Sequence, residues 1–176
     1  VLVDEAYVDF GGVSADTLLK EYDNLVVVRT LSKSRALAGL RVGYALGSPN
    51  LISGLCCVRD SINSYTVDRL AQAGAVAALE DGPYFEEMRE RVIRTRERTE
   101  ERLRAMGFAV LESKANFLFV SHPKRTGKAL LDGLREQGIL VRWFDRPRIG
   151  NYLRISVGTD DEMDALRAAL KALTEG

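Results

Sequence analysis

Three apolar runs open the chain. Residues 1–3, 25–29 and 41–46 are largely hydrophobic, without amphipathic alternation, which is the pattern of strands covered on both faces in an α/β sheet. Gly11-Gly12 marks a turn between the first two, and residues 16–22 predict a short helix. Thr30-Leu31-Ser32-Lys33 follows the second run as a loop, and Gly47-Ser48-Pro49 closes the third. Helical spacing then takes over at 50–58 and 66–80, and Asp81-Gly82-Pro83 breaks it. Residues 84–106 predict a long helix whose apolar stripe is Phe85, Met88, Val92, Leu103 and Met106, with Thr95 and Thr99 in the seam. Its other faces carry the i,i+4 pairs Glu87–Arg91, Glu90–Arg94 and Glu100–Arg104, as a solvated surface does. Gly107 ends it as a C-cap. Beyond lie predicted strands at 108–111, 116–120, 139–144 and 152–157. Between and after them come helices at 126–137, entered at Thr126 and left at Gly138, and at 160–173, with Met163, Leu166, Leu170 and Leu173 on one stripe.

This order predicts an α/β fold in three parts: a piece of a mainly parallel sheet domain over 1–84, a connecting helix over 85–106, and a small α+β domain over 107–176. The chain has 176 residues, enough for one ordinary domain or for one large and one small piece. It starts at Val1 inside an apolar run, so we expect a portion of a longer protein, with no signal-peptide pattern at its opening.

Composition narrows the function classes. Hydrophobic residues make up 46% and charged residues 28%, a globular balance. The 25 Lys+Arg cancel the 25 Asp+Glu, which argues against a nucleic-acid binder or a polybasic membrane binder. No stretch reaches the roughly 18 apolar residues of a membrane span. The single histidine, His122, excludes a multi-His metal site, and no metal is expected. The adjacent Cys56 and Cys57 fit neither a redox nor a zinc motif and are expected as reduced, buried thiols of a cytoplasmic protein.

Candidate chemistry gathers near the N-terminus. Asp4 and Tyr7 leave the first strand, Thr30, Ser32 and Lys33 leave the second, and Arg41 enters the third. A buried strand ending in carboxylates is the usual layout at the carboxyl edge of a parallel sheet, where ligands bind. A lysine that carries a Schiff base sits in a protected polar cleft. Pyridoxal 5'-phosphate asks for such a lysine, a carboxylate for its ring nitrogen, a hydroxyl donor for its ring oxygen, and small hydroxyls with an arginine for its phosphate. The six residues supply that set.

The motifs Asp4-Glu-Ala-Tyr7, Thr30-Leu-Ser-Lys33 and Leu37-Ala-Gly-Leu-Arg41-Val-Gly43 resemble those of the fold-type I, class I/II aminotransferases, and within them the histidinol-phosphate-using enzymes. Asn63-Ser-Tyr65, Ala115-Asn-Phe-Leu-Phe119, Gly138-Ile-Leu-Val-Arg142 and Tyr152-Leu-Arg-Ile-Ser-Val-Gly158-Thr159 extend the resemblance to nearly the whole chain. It implies the C-terminal part of a pyridoxal-phosphate large domain followed by the small domain. It also implies amino transfer from a small-molecule donor, histidinol phosphate, to a 2-oxo acid acceptor, in a cytoplasmic homodimer.

The roles it implies are these. Lys33 attaches the cofactor and shuttles the proton. Asp4 pairs with the ring nitrogen and Tyr7 with the ring oxygen. Thr30, Ser32 and Arg41 hold the cofactor phosphate. Arg154 clamps the substrate's anionic group, Arg142 lies near it, and Tyr65 reaches a partner's site from the dimer interface. Position 35, commonly aromatic in the family, is Arg35 here. The family's glycine-rich phosphate turn, ring-stacking aromatic and Asn lie before the Asp-Glu-Ala-Tyr strand, so the resemblance implies a half-site in this chain. The alternatives are an aromatic or broad-range aminotransferase, a threonine-phosphate decarboxylase-like enzyme, and a dimerising fragment without activity.

Overall fold

The N-terminal apolar run forms strand β1 (Leu2–Asp4), parallel to β2 (Val26–Thr30), in the computed structural model, which describes residues 1–175. Strand β3 (Gly43–Gly47) pairs with β2 in the opposite direction, giving the order β1-β2-β3. The sheet here is therefore mixed rather than mainly parallel. The cause is the connection: residues 31–42 return as a loop with one short 3₁₀ turn at Ala38–Leu40, and without a crossover helix the next strand must run back. Coverage is also less complete than the apolar runs predict. Val27 at the centre is fully buried, but Leu2 on β1 is 65% exposed and Tyr44 on β3 40% exposed.

The excursion from β1 to β2 holds two 3₁₀ turns, Val8–Phe10 and Ala15–Lys20, the second standing where a helix is expected. Ser14 starts it by accepting the Asp16 N–H at 3.0 Å. Helix α1 (Pro49–Ile62) packs on β3, and no residue of it is buried. Cys56 is therefore half-buried and Cys57 exposed, not buried as expected. Helix α2 (Arg69–Glu80) is capped by Asp68, whose carboxylate accepts the Ala71 N–H at 2.8 Å. Only Asp81 separates α2 from α3 (Gly82–Ala105). Gly82 and Pro83 do not interrupt the helix but begin it, because a proline in the first turn forfeits no intrahelical hydrogen bond.

The chain divides into two compact units, Val1–Arg89 and Glu90 onward, and the division falls inside α3. The second unit adds β4 (Ala109–Val110), β5 (Phe117–Ser121), α4 (Gly127–Glu136), β6 (Arg142–Trp143), β7 (Leu153–Ser156) and α5 (Asp160–Glu175). Its sheet, ordered β4-β5-β7-β6, is antiparallel throughout. Leu118, Val120, Leu153 and Ile155 join Leu103 of α3, Leu130 and Leu134 of α4, and Leu166 and Leu170 of α5 in one buried cluster. Each such side chain contributes about 1.5–3 kcal/mol. Thr95, Thr99 and Leu103 are buried along the α3 seam as expected.

Two left-handed glycines end helices. Gly107 has φ 86° and Gly138 φ 75°. In each case the following residue donates back across the last turn, Phe108 to Leu103 O at 3.1 Å and Ile139 to Leu134 O at 2.9 Å. The second bond shortens a strand. Ile139 spends its N–H on α4, and Trp143 donates its indole N–H to Gly150 O at 2.6 Å. Only Arg142 and Trp143 of the expected 139–144 strand pair with β7.

Candidate functional site

Topology gathers the candidate residues of the first unit. Because β1 and β2 are parallel with Asp4 opposite Val28, both strands deliver their C-terminal ends to one sheet edge. Strand β3 runs back, so its entry lies at that edge too, with Gly43 opposite Thr30. Asp4 and Tyr7, Thr30 to Lys33, and Arg41 thus arrive together.

Each is shaped locally. Asp4 Oδ1 accepts the Ala6 N–H at 3.0 Å, turning the chain toward Tyr7. Lys33 Nζ lies 5.6 Å from the Tyr7 ring centroid, within cation–π range. Thr30 Oγ1 accepts the Ser32 N–H at 3.1 Å and donates to Val42 O at 3.4 Å. The lysine loop is closed on itself: Leu31 N donates to Val42 O, Leu37 N to Leu31 O and Ala36 N to Lys33 O, at 3.0–3.1 Å. Arg41 adopts a left-handed backbone, φ 54°, and donates to Ala38 O at 2.7 Å. It therefore belongs to the turn before β3 rather than to the strand.

The residues that hold this edge are less visible in sequence. Glu5, buried next to Asp4, accepts from Ser14 Oγ at 2.9 Å, from Ala15 N at 2.6 Å and from Arg29 Nε at 3.0 Å. Arg29 also reaches Asp16 at 2.9 Å. Burial disfavours its charge, but hydrogen bonds and charge interactions with Tyr44 and Glu5 outweigh that and hold its pKa above the ordinary arginine value. The sequence signal was Arg29 itself, a charge ending an apolar run. Ser34 Oγ bonds the Asp9 carboxylate. Arg35 donates to Ala78 O and lies over the Phe85 ring. Tyr65 stands elsewhere, 91% exposed on the connection from α1 to α2, where its N–H donates to Asn63 Oδ1 at 3.1 Å.

In the second unit, Arg142 and Arg154 are direct cross-strand partners, and Phe119 is the partner of Arg154 on the other side. Direct partners share a sheet face. The Arg142 guanidinium lies 5.1 Å from the Phe144 ring and that of Arg154 5.3 Å from the Phe117 ring. Phe119 stacks on Tyr152 at 4.7 Å. The sheet face opposite the leucine core thus carries two arginines among four aromatic rings.

The donor set of the first unit fits pyridoxal phosphate: a carboxylate, a phenol, two small hydroxyls, an arginine and a lysine at one edge. Among the described residues no group of three or more His, Cys, Asp or Glu could hold a metal ion, and no helix is long and apolar enough to cross a membrane.

The profile of aminotransferase class I and II matches residues 1–170. The histidinol-phosphate aminotransferase of Clostridium acetobutylicum is 55% identical over 171 residues, 97% of this chain and 49% of that protein. That of Chromohalobacter salexigens is 57% identical over 173 residues, 98% of this chain and 49% of that protein. The crystal structure of histidinol-phosphate aminotransferase from Sinorhizobium meliloti in complex with pyridoxal-5'-phosphate superposes with a TM-score of 0.85 at 31% identity, covering 99% of this chain and 48% of that one. The chain spans about half the length of the curated relatives it matches.

Proposed function

Because the chain belongs to the class I and II aminotransferase family, we propose that it supplies the lysine-bearing part of a pyridoxal-phosphate-dependent histidinol-phosphate aminotransferase, which passes the amino group to 2-oxoglutarate in histidine biosynthesis. The observation that carries the donor assignment is the Arg142–Arg154 pair across β6 and β7. Like charges directly opposite one another destabilise a sheet. They become favourable neighbours when an anion bridges them, and a phosphate monoester accepts two guanidinium forks where a neutral side chain does not. An aromatic-amino-acid donor gives the second arginine no such task. The names of the relatives point the same way.

Bound pyridoxal phosphate supplies an aldehyde for the amino group and a ring that draws electrons from the donor carbon. Asp4 accepts the ring N–H and keeps that nitrogen protonated. Tyr7 donates to the ring oxygen. Thr30, Ser32 and Arg41 hold the cofactor phosphate, Thr30 by redirecting a hydroxyl whose present bond to Val42 O is long at 3.4 Å. Lys33 would link its amine to the cofactor aldehyde with loss of water and, once displaced by the donor's amino group, would take up the proton from the donor Cα as the free amine. Arg154 and Arg142 hold the anionic end of the donor.

The same reading includes a cytoplasmic homodimer in which Tyr65 reaches the partner protomer. Its support is the apolar surface of α1, the connection after it and the first turn of α2, where Val58, Ile62, Tyr65 and Leu70 are 59–91% exposed. The test is a donor screen of the full-length protein with 2-oxoglutarate, comparing histidinol phosphate, phenylalanine and threonine phosphate. Histidinol phosphate is expected to react fastest. Faster transfer from phenylalanine, or carbon dioxide release from threonine phosphate, replaces this reading.

A further inference from the structure

We infer that Arg35 is a positioning residue for Lys33, anchoring the lysine loop to the corner between α2 and α3. The inference rests on the reading of Lys33 as the residue that attaches the cofactor. Arg35 occupies the position where the family more often carries an aromatic, and the side chain is put to two uses. Its Nη1 donates to Ala78 O. That carbonyl lies in the last turn of α2, where the final carbonyls have no intrahelical donor and a cation is favoured by the helix dipole. Its guanidinium also lies 3.5 Å from the Phe85 ring centroid, a planar stack that lysine does not reproduce.

The corner it grips is itself fixed. Asp81, between the two helices, accepts the Tyr84 N–H at 3.3 Å through its carboxylate and the Phe85 N–H at 3.3 Å through its carbonyl. Arg35 is two residues from Lys33, and the residue between them, Ser34, is tied to Asp9. The loop is thus held from two separate elements on the C-terminal side of Lys33. Lys33 itself is exposed and has the Tyr7 ring beneath its ammonium. A flexible four-carbon stem reaches a fixed target reproducibly only if its backbone is fixed. An aromatic at position 35 could stack on Phe85 but would leave the Ala78 carbonyl without this donor, so arginine combines both anchors.

The experiment uses the full-length protein and three variants, R35A, R35K and F85L. Two readouts are taken: hydrogen exchange of the Ala36 and Leu37 amides in the cofactor-free protein, and the rate at which borohydride traps added pyridoxal phosphate on Lys33. Loss of the stack and the helix-end bond predicts about tenfold faster exchange at both amides and about tenfold slower trapping in R35A. R35K, which keeps the charge, should recover part of each, and F85L, which keeps the Ala78 bond, should lie between R35A and the unsubstituted protein. If R35A does not fold, F85L and R35K decide by the same two readouts. Unchanged exchange and unchanged trapping in the folded variants overturn the inference. Absence of trapping on Lys33 in the unsubstituted protein instead overturns the assignment of Lys33, and exchange then still reports whether Arg35 orders the loop.

Discussion

Glu5 and Arg29 meet at 3.0 Å, carboxylate to Nε, one residue from Asp4 and one from Thr30. The Glu5 side chain is only 5% exposed. Its oxygens are further satisfied by Ser14 and the Ala15 N–H, so the pair ties the 3₁₀ excursion to the sheet that presents the site. Removing one partner of a buried pair leaves an uncompensated charge, which costs about 3 kcal/mol or more. Arg29→Ala is therefore expected to lower the denaturant midpoint strongly, and the double variant Glu5→Leu/Arg29→Ala less than the sum of its parts. A loss below about 1 kcal/mol in Arg29→Ala, as exposed pairs show, contradicts this.

Two substitutions and one labelling experiment separate binding from chemistry at the proposed cofactor site of the full-length protein. Arg41→Ala is expected to weaken cofactor retention, because phosphate contacts act in the ground state. Asp4→Asn is expected to leave the cofactor bound and reduce turnover by at least about a hundredfold, since an amide no longer holds the ring nitrogen protonated. Borohydride reduction and peptide mapping should label Lys33. Label on Lys20 or Lys114, or near-normal turnover in Asp4→Asn, removes the corresponding assignment.

The sequence made the sheet edge legible because its motifs are contiguous: Asp4 to Tyr7 and Thr30 to Lys33 each lie at one strand end, and strand ends follow from apolar runs. The helix stops at Gly107 and Gly138 were legible for the same reason, a glycine after a periodic stripe. What was not legible depends on where the chain returns. The reversal of β3 follows from the 31–42 loop, whose apolar flanks look the same for either direction. Arg35 over Phe85 joins residues fifty positions apart in the numbering, and neither residue's local pattern announces the other. The late start of β6 follows from Ile139 bonding α4, a competition between helix cap and strand ladder that periodicity does not weigh.

The paired arginines of the second unit give a specificity prediction. Charge-assisted bonds to a phosphate contribute about 1.5–3 kcal/mol each. Arg142→Gln and Arg154→Gln should each raise KM for histidinol phosphate by roughly 10- to 100-fold. For histidinol without the phosphate the effect of Arg142→Gln should be small. An equal loss on both donors in Arg142→Gln means that Arg142 does not read the phosphate.

Asp160 gives a prediction about pH. It opens α5 and accepts from Thr95 Oγ1 at 2.7 Å and Arg98 Nη2 at 2.6 Å, both on α3. The Thr95 hydrogen bond first, then the charges of Arg98 and Arg91, lower its pKa below the ordinary aspartate value of 3.8. Glu162, two residues on, is lowered by the backbone and side-chain bonds of Thr159. A carboxylate with a depressed folded pKa binds fewer protons in the folded state than in the unfolded state. Stability from it is complete above the ordinary value and is lost as pH falls through the lowered one. Asp160→Asn removes the charge but keeps an acceptor for Thr95. The variant is expected to be less stable than the unsubstituted protein at about pH 6 and to converge with it as pH falls below 3.8 and through the lowered folded value. Thermal unfolding across that range, at low salt where the Arg98 attraction is least screened, measures the convergence. Parallel curves would mean that the Asp160 charge does not contribute to the acid dependence.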